Sequence, residues 1–430
     1  MDIDGCRYLT YVTRLVETCD ILACEDIKNT NGLKLFPKGT RIDQFALARI
    51  VNHKLAKPLD RCLAVADPIC GGRLVDQMKS ILGNSNACLP TLRYDRDAQS
   101  RLLCTLSTLP LNTAITNKLS LMEKSWAKLL THSLEVTGNA LAVASLCGFS
   151  IADQQRAVLA GLLHDIGMLH INPTLLDAGW KLTAEDWHQI HAHPLIAYLI
   201  LKSCSEYHSS IGRAVLEHHE RMDGSGYPRG LPDKRISHLG RIVGLADTIA
   251  SILNKSSVRH LICVLKLLGR QLDIDLVGKV LTSLHCNCGS DEVQEAPVRS
   301  DVEKSCGTLL HVFDSWRAFS RRFDRVSCAF YDEASSRMWE IERLTYQAMN
   351  QFDGRIPDCI LDDPGAMNEV FSVIEEALYQ IRRLITDVRL RCHENSATTW
   401  SGVTRPFLEW ASATEELIDA ASKIGSEKVS

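Results

Sequence analysis

No stretch of this chain restricts its possible folds more than the run His218-His219-Glu220-Arg221-Met222-Asp223-Gly224-Ser225-Gly226-Tyr227-Pro228. Two adjacent imidazoles lead straight into a loop broken by glycines and ended by proline. A buried imidazole brings ring nitrogens that must find partners. Any fold that takes up this run has to bring other polar groups to meet it, and a metal ion is the simplest partner for two histidines.

The rest of the chain sets the frame for such a site. Its 430 residues, 45% hydrophobic and 23% charged, suffice for two or three domains with ordinary cores. A net charge of -4 and a pI near 6.4 argue against a binder of nucleic-acid polymers that works by phosphate neutralisation. No apolar run reaches the roughly 18 to 20 residues of a membrane span. The start, Met1-Asp2-Ile3-Asp4, lacks the basic and apolar regions of a signal peptide. The expected location is the cytoplasm, with no membrane partner. Sixteen cysteines scatter from Cys6 to Cys392, and the close pair Cys286 and Cys288 has no second pair beside it. They read as reduced thiols that pack like small apolar residues, not as a zinc knuckle or a disulfide framework.

Along the chain, residues 20–62 alternate short apolar runs with turn chemistry, and Asn31-Gly32 favours a hairpin. A small N-terminal α/β module is expected over 1–110. After Pro110 the texture is helical: Leu129, Leu130, Leu134, Val136, Leu141, Val143 and Ala144 mark one long helix, and Val158, Leu159, Leu162 and Leu163 mark another. The fold class is therefore mainly α, with a helical domain over 111–288. Residues 289–305 are polar and read as a linker, and 306–430 as a C-terminal helical region. There, Ile374, Leu378, Ile381, Leu384, Ile385 and Val388 give an amphipathic face. Packing within the chain is the simpler use of that face, and a homo-oligomer is the alternative.

Seven candidate ligands stand out in the helical domain: His132, His164, Asp165, His193, His218, His219 and Asp247. Imidazole and carboxylate without thiolate suit iron, manganese, zinc or nickel. Neighbouring helical residues point about 100° apart, so His164 and Asp165 can grip a metal from two sides. Asp247 sits in Ile242-Val243-Gly244-Leu245-Ala246-Asp247-Thr248-Ile249-Ala250, where an uncompensated buried carboxylate would be too costly. His193 precedes Pro194, which suits a first helical turn. His191, two residues earlier, points to another side of a helix, and it reads as solvated along with His188 and His170.

The order of these motifs is H, H-D-I-G, H-P, H-H-E-x-x-D-G-x-G-Y-P, then a D in an apolar helix. It resembles the HD-GYP family, the HD-domain phosphohydrolases that degrade the bacterial second messenger cyclic di-GMP. The resemblance covers Asn112 to Leu284. It implies a helical bundle and a cytoplasmic signalling hydrolase, with two divalent cations, iron or manganese, held by the seven residues. Asp165 would bridge them, and Asp165 and His164 would be catalytic. Gly224, Gly226, Tyr227 and Pro228 would form the signature loop, which binds substrate or a protein partner, with Tyr227 a stacking face for guanine. The implied reaction is metal-assisted in-line attack of water on phosphorus, giving pGpG and, after a second cut, GMP.

This chain departs from the family at several points. Met168 stands where a lysine usually follows H-D-I-G, so a phosphate-contacting cation is missing. A hydrogen bond to a charged group is worth about 1.5 to 3 kcal/mol, hence roughly ten- to a hundredfold in rate if it acts in the transition state. Ala197 replaces a glycine, and Ile249 and Ala250 replace a phenylalanine and an aspartate. Lys128 stands where trinuclear members carry glutamate, which favours two metals. The alternative reading is a catalytically weak or silent HD-GYP protein that senses cyclic di-GMP or binds a protein.

Overall fold

A computed structural model describes residues 20–57, 59–83, 87–176, 183–254, 257–268, 271–287, 297–323, 329–349, 358–394 and 401–426, with a few isolated positions besides. The chain divides into two compact units, Met1–Lys255 with Arg270–Asn287 and Ser256–Gly269 with Cys288–Ser430. Ser256–Gly269, which the sequence places inside the 111–288 segment, thus groups with the C-terminal helices. No helix among the described residues is long and apolar enough to cross a membrane.

The first unit opens with two small antiparallel sheets. Strand β1 (Ile21–Ala23) pairs with β4 (Leu63–Val65), and β2 (Ile27–Lys28) pairs with β3 (Lys34–Phe36). The Asn31-Gly32 turn closes the second pair. Asn29 Oδ1 accepts from the amides of Asn31 and Leu33, and Gly32 takes a φ of 80°. Helices α1 (Gln44–Val51), α2 (Gly71–Gly83) and α3 (Arg96–Ser107) complete this region. Helix α4 (Thr113–Ser125) ties it to the bundle, because Ser120 Oγ accepts from Ile69 N at 2.8 Å and Asn117 Oδ1 from Val65 N at 3.3 Å.

Helix α5 (Ala127–Leu146) runs through the middle of the bundle, with every residue from Ser133 to Ala144 buried. A helix enclosed on all faces needs no polar stripe. It packs on α6 (Ile151–Leu163) and on α10 (His238–Leu253). Between these lie α7 (Ala184–His191), α8 (His193–Lys202) and α9 (Ser209–Glu217), and α12 (Ile274–Asn287) closes the unit. Serine and threonine caps set the starts: Ser150 for α6, Ser237 for α10, and a Thr183–Asp186 capping box for α7.

The second unit combines α11 (Val258–Leu267) with α13 (Arg299–Phe323), α14 (Ala329–Ala348), α15 (Pro364–Glu394) and α16 (Ser401–Ser426). Its core joins Phe313, Trp316, Phe319, Phe407 and Trp410 with Ile374, Ile381 and Ile385. Of the expected linker, 289–296 lies outside the described residues, and Arg299–Ser305 is helix, not linker. An Arg299–Glu303 pair spaced i,i+4 supports the exposed side of that turn, while Val302, Ser305 and Cys306 turn inward. Cys6 and Cys288 also lie outside the described residues, as do the side chains of Cys286 and Cys392.

Candidate metal centre

Five of the seven candidate ligands stand at helix ends. His164 caps the C-terminus of α6 and Asp165 follows it, His193 opens α8, and His218 caps α9 with His219 next. Asp247 and His132 project from the interiors of α10 and α5. Helix ends let a ligand leave the bundle's apolar packing while its backbone stays anchored in it.

The seven side chains converge. Asp165 Oδ1 lies 3.1 Å from His193 Nε2 and 3.9 Å from His218 Nε2, while its Oδ2 lies 3.3 Å from His164 Nε2. Asp247 Oδ1 lies 3.1 Å from His132 Nε2, and Oδ2 lies 3.8 Å from His219 Nδ1. Potential ligand atoms form two sets within 4.8 Å, one of Asp165, His193, His218 and His219 and one of His132, His164 and Asp165. Asp165 belongs to both.

Three of the imidazoles have their tautomer set by the backbone. Nδ1 of His164 donates to Gly161 O at 2.7 Å, that of His193 to Ile190 O at 2.7 Å, and that of His218 to Val215 O at 2.6 Å. Each Nε2 lone pair is left facing inward, as a metal ligand requires. His164 Nε2 is buried with no hydrogen bond among the described residues, and the Nε2 atoms of His193 and His218 face each other at 3.4 Å. Imidazole nitrogens aimed at one another beside two carboxylates are a donor set that suits a divalent cation.

The electrostatics point the same way. Burial alone would raise the Asp165 carboxyl, but His164 and His193 outweigh it and hold it well below the usual range. Asp247 is likewise held at about 2, against its burial, by the bond and charge of His132. Burial, then the charges of His164 and His193, push His218 down to about 3, and burial with His218 drives His219 well below normal. His164 keeps a proton up to about 9, because Asp165 and Asp247 overcome the burial that opposes its charge. A cluster that traps a proton between carboxylates when no cation is bound is one that a cation can occupy.

The signature loop returns on itself beside this cluster. Glu220, buried, accepts from the amides of Arg229 at 2.9 Å and Leu231 at 2.7 Å. Glu217, also buried, accepts from Arg213 Nε, Arg229 Nη2 and Ser237 N. Gly224 has a φ of 80°, and the Tyr227-Pro228 peptide is cis. A Cβ at Gly226 would sit 2.3 Å from Arg221 N, so the loop crosses its own start too closely for a side chain. Tyr227 N donates to His219 O at 3.1 Å. The Tyr227 ring, which the resemblance offers to guanine, stacks on His191 with centroids 3.8 Å apart and planes 13° apart, and lies 4.7 Å from the His219 ring.

Two of the histidines read as solvated are not. His191 is half-buried in that stack, and His170 is pushed down to about 3 by burial and the Lys118 charge. His188 is exposed. Met168 is half-buried against an apolar cluster of Ile171, Leu175 and Ile190, joined by Trp187 and Ile196. Ile249 and Ala250 are fully buried in α10. Sequence reasoning gave no role to Glu217 or Gly167. A Cβ on Gly167 would fall 2.1 Å from His193 O, so the glycine of H-D-I-G lets α8 deliver its ligand beside Asp165.

Residues 111–261 match the family model described as HD domain. A cyclic di-GMP phosphodiesterase of Pseudomonas aeruginosa is 34% identical over 121 residues, 28% of this chain and 29% of that one. A 3'3'-cGAMP-specific phosphodiesterase of Vibrio cholerae is 36% identical over 116 residues, 27% and 25% of the two chains. A cyclic di-GMP phosphodiesterase response regulator of Xanthomonas campestris is 35% identical over 113 residues, 26% and 30%. The aligned stretch spans less than a third of each relative's length. Residues 111–261 are thus similar to the HD domain, and the relatives that share this stretch bear the names of cyclic dinucleotide phosphodiesterases.

Proposed function

We propose that the protein is a metal-dependent phosphodiesterase that hydrolyses cyclic di-GMP to pGpG and, in a second cut, to GMP. The observation that carries this reading is the sharing of Asp165 between two ligand sets, one with His193, His218 and His219 and one with His132 and His164. A carboxylate with its two oxygens turned to different imidazoles is disposed to bridge two cations, with Asp247 completing both sides. The relatives' names support cyclic dinucleotides as the substrate class.

Two divalent cations, iron or manganese, would supply Lewis acidity toward a phosphoryl oxygen and acidify a water. The chain's own part is to hold them and to shape the site. The Nδ1–H bonds to Gly161, Ile190 and Val215 fix which ring nitrogen, Nε2, three imidazoles would turn to the cations. Asp165 and Asp247 place two negative charges in a buried centre, where water screens them little. Gly224, Gly226, Tyr227 and Pro228 form the rim, which meets the nucleotide or a protein partner.

One observation favours a second reading, a weakly active or silent sensor: Met168 packs among apolar side chains where the family usually places a phosphate-binding lysine. The deciding experiment compares cyclic di-GMP and 3'3'-cGAMP as substrates of the protein loaded anaerobically with iron or manganese, with Asp165→Ala as control. Turnover of cyclic di-GMP that vanishes in the variant is expected. Tight nucleotide binding without turnover would establish the sensor.

A further inference from the structure

His219 is held differently from its neighbours in the cluster. The rings of His164, His193 and His218 are each fixed by a hydrogen bond to the carbonyl three residues earlier. His219 has no such bond among the described residues. Its Nδ1 lies 3.8 Å from Asp247 Oδ2, and its ring meets other rings: His218 at 4.0 Å, Tyr227 at 4.7 Å and His193 at 5.0 Å. Tyr227 comes from a glycine-rich loop, and its own ring is stacked on His191 at 3.8 Å. His191 in turn lies on α7, 5.5 Å from the Trp187 ring. A relay of rings therefore runs from α7 through the signature loop to His219.

We propose that His191 is a positioning residue for the metal centre, acting through Tyr227 to hold the imidazole of His219. The role rests on reading the cluster as a metal centre. Aromatic pairs in contact contribute beyond the area they bury, and groups that orient a ligand are worth as much as tenfold or more in metal affinity. Stacking keeps the Tyr227 ring in one place, so the His219 ring does not have to be ordered by the cation itself. The part proposed here is that of the flat ring of His191, stacked on Tyr227 with planes 13° apart.

Manganese binding to the full chain tests this, followed by the loss of the free Mn2+ signal in electron paramagnetic resonance. His191→Ala is expected to weaken affinity by about 3- to 10-fold. His191→Phe, which keeps a flat ring, should bind like the wild type. Tyr227→Ala combined with His191→Ala should bind no more weakly than Tyr227→Ala alone, because the two act as a unit. The metal-free melting temperature should fall by only a few degrees with His191→Ala, as the loss of one ring stack requires. Wild-type affinity in His191→Ala, or additive losses in the double variant, would overturn the proposal. So would His191→Phe as weak as His191→Ala, since the imidazole would then be a donor itself. A larger fall in metal-free melting temperature, with manganese affinity unchanged, would reduce His191 to a structural role. If wild type and Asp165→Ala both fail to bind manganese, the metal-centre reading falls and this proposal with it.

Discussion

The two units both bury an apolar core, but they differ in how many ionisable side chains they enclose with it. Around Asp165 the first unit encloses His164, His193, His218, Asp247 and, beneath the loop, Glu217, all under 10% exposed. The second unit encloses Phe313, Trp316, Phe319, Phe407 and Trp410, and Glu376 is its one buried charged residue among those described. Apolar burial accounts for a fold by itself, since each large ring removes area from water. Burying five ionisable groups around one point does not stabilise a fold in that way, and in the absence of a ligand it carries a desolvation penalty. The first unit therefore sets stability aside at one place for binding, and the second does not.

The largest break in this contrast comes from Asp165→Ala. It removes the carboxylate common to both ligand sets, and turnover should fall at least about a thousandfold, the equivalent of about 4 kcal/mol. Helical content by circular dichroism should be unchanged. The matching experiment in the second unit is Phe407→Ala, which empties a fully buried site and should cost about 3 to 5 kcal/mol in denaturant unfolding. Metal content should not follow it. A variant of either kind that lowered both readouts together would erase the division of roles.

Glu376 sharpens the comparison through pH. Burial lifts its carboxyl to about 7, against the hydrogen bond that Gln380 donates at 2.6 Å. The folded state thus holds a proton that the unfolded state has released above its ordinary value near 4.5. Stability from this group is full below pH 4.5 and is lost as pH rises through 7. Glu376→Gln should therefore match the wild type at low pH and exceed it by about 3 kcal/mol above neutrality. A constant difference across the range would mean that the carboxyl is not held neutral.

The smallest expected effect belongs to Met168→Lys. The stem of a lysine can lie along Ile171 and Trp187 while its ammonium reaches out toward substrate, so the variant should gain about tenfold in kcat/KM on cyclic di-GMP. Its loss of stability should stay below about 1 kcal/mol. No gain would place the phosphate on another side of the centre.

Much of the candidate centre was legible because its residues violate their surroundings. Asp247 in a run of buried aliphatics and two histidines before a glycine-broken loop both demand compensation, and that demand is readable without coordinates. What a polar side chain touches across the fold is not. His191 reads as solvated because helical spacing turns it from His193; the reason to notice it is a ring 36 residues later in the chain, at Tyr227. Glu217 sits in a helix end that looks ordinary until Arg213, Arg229 and Ser237 close over it. The helix beginning at Arg299 was hidden by its polar composition. Val302, Cys306, Leu309 and Phe313 nonetheless carry the helical spacing that brings one side of it to the core.

How many cations Asp165 would join decides most directly whether this cluster is a two-metal centre. Metal content of the purified protein, reconstituted anaerobically with manganese or iron and measured by inductively coupled plasma mass spectrometry, settles it. Two ions per chain in the wild type, with Asp165→Ala unable to retain the pair, is the result expected from two ligand sets that share one carboxylate. A single ion per chain that survives Asp165→Ala would contradict it, and the convergence of imidazoles on that residue would need another explanation.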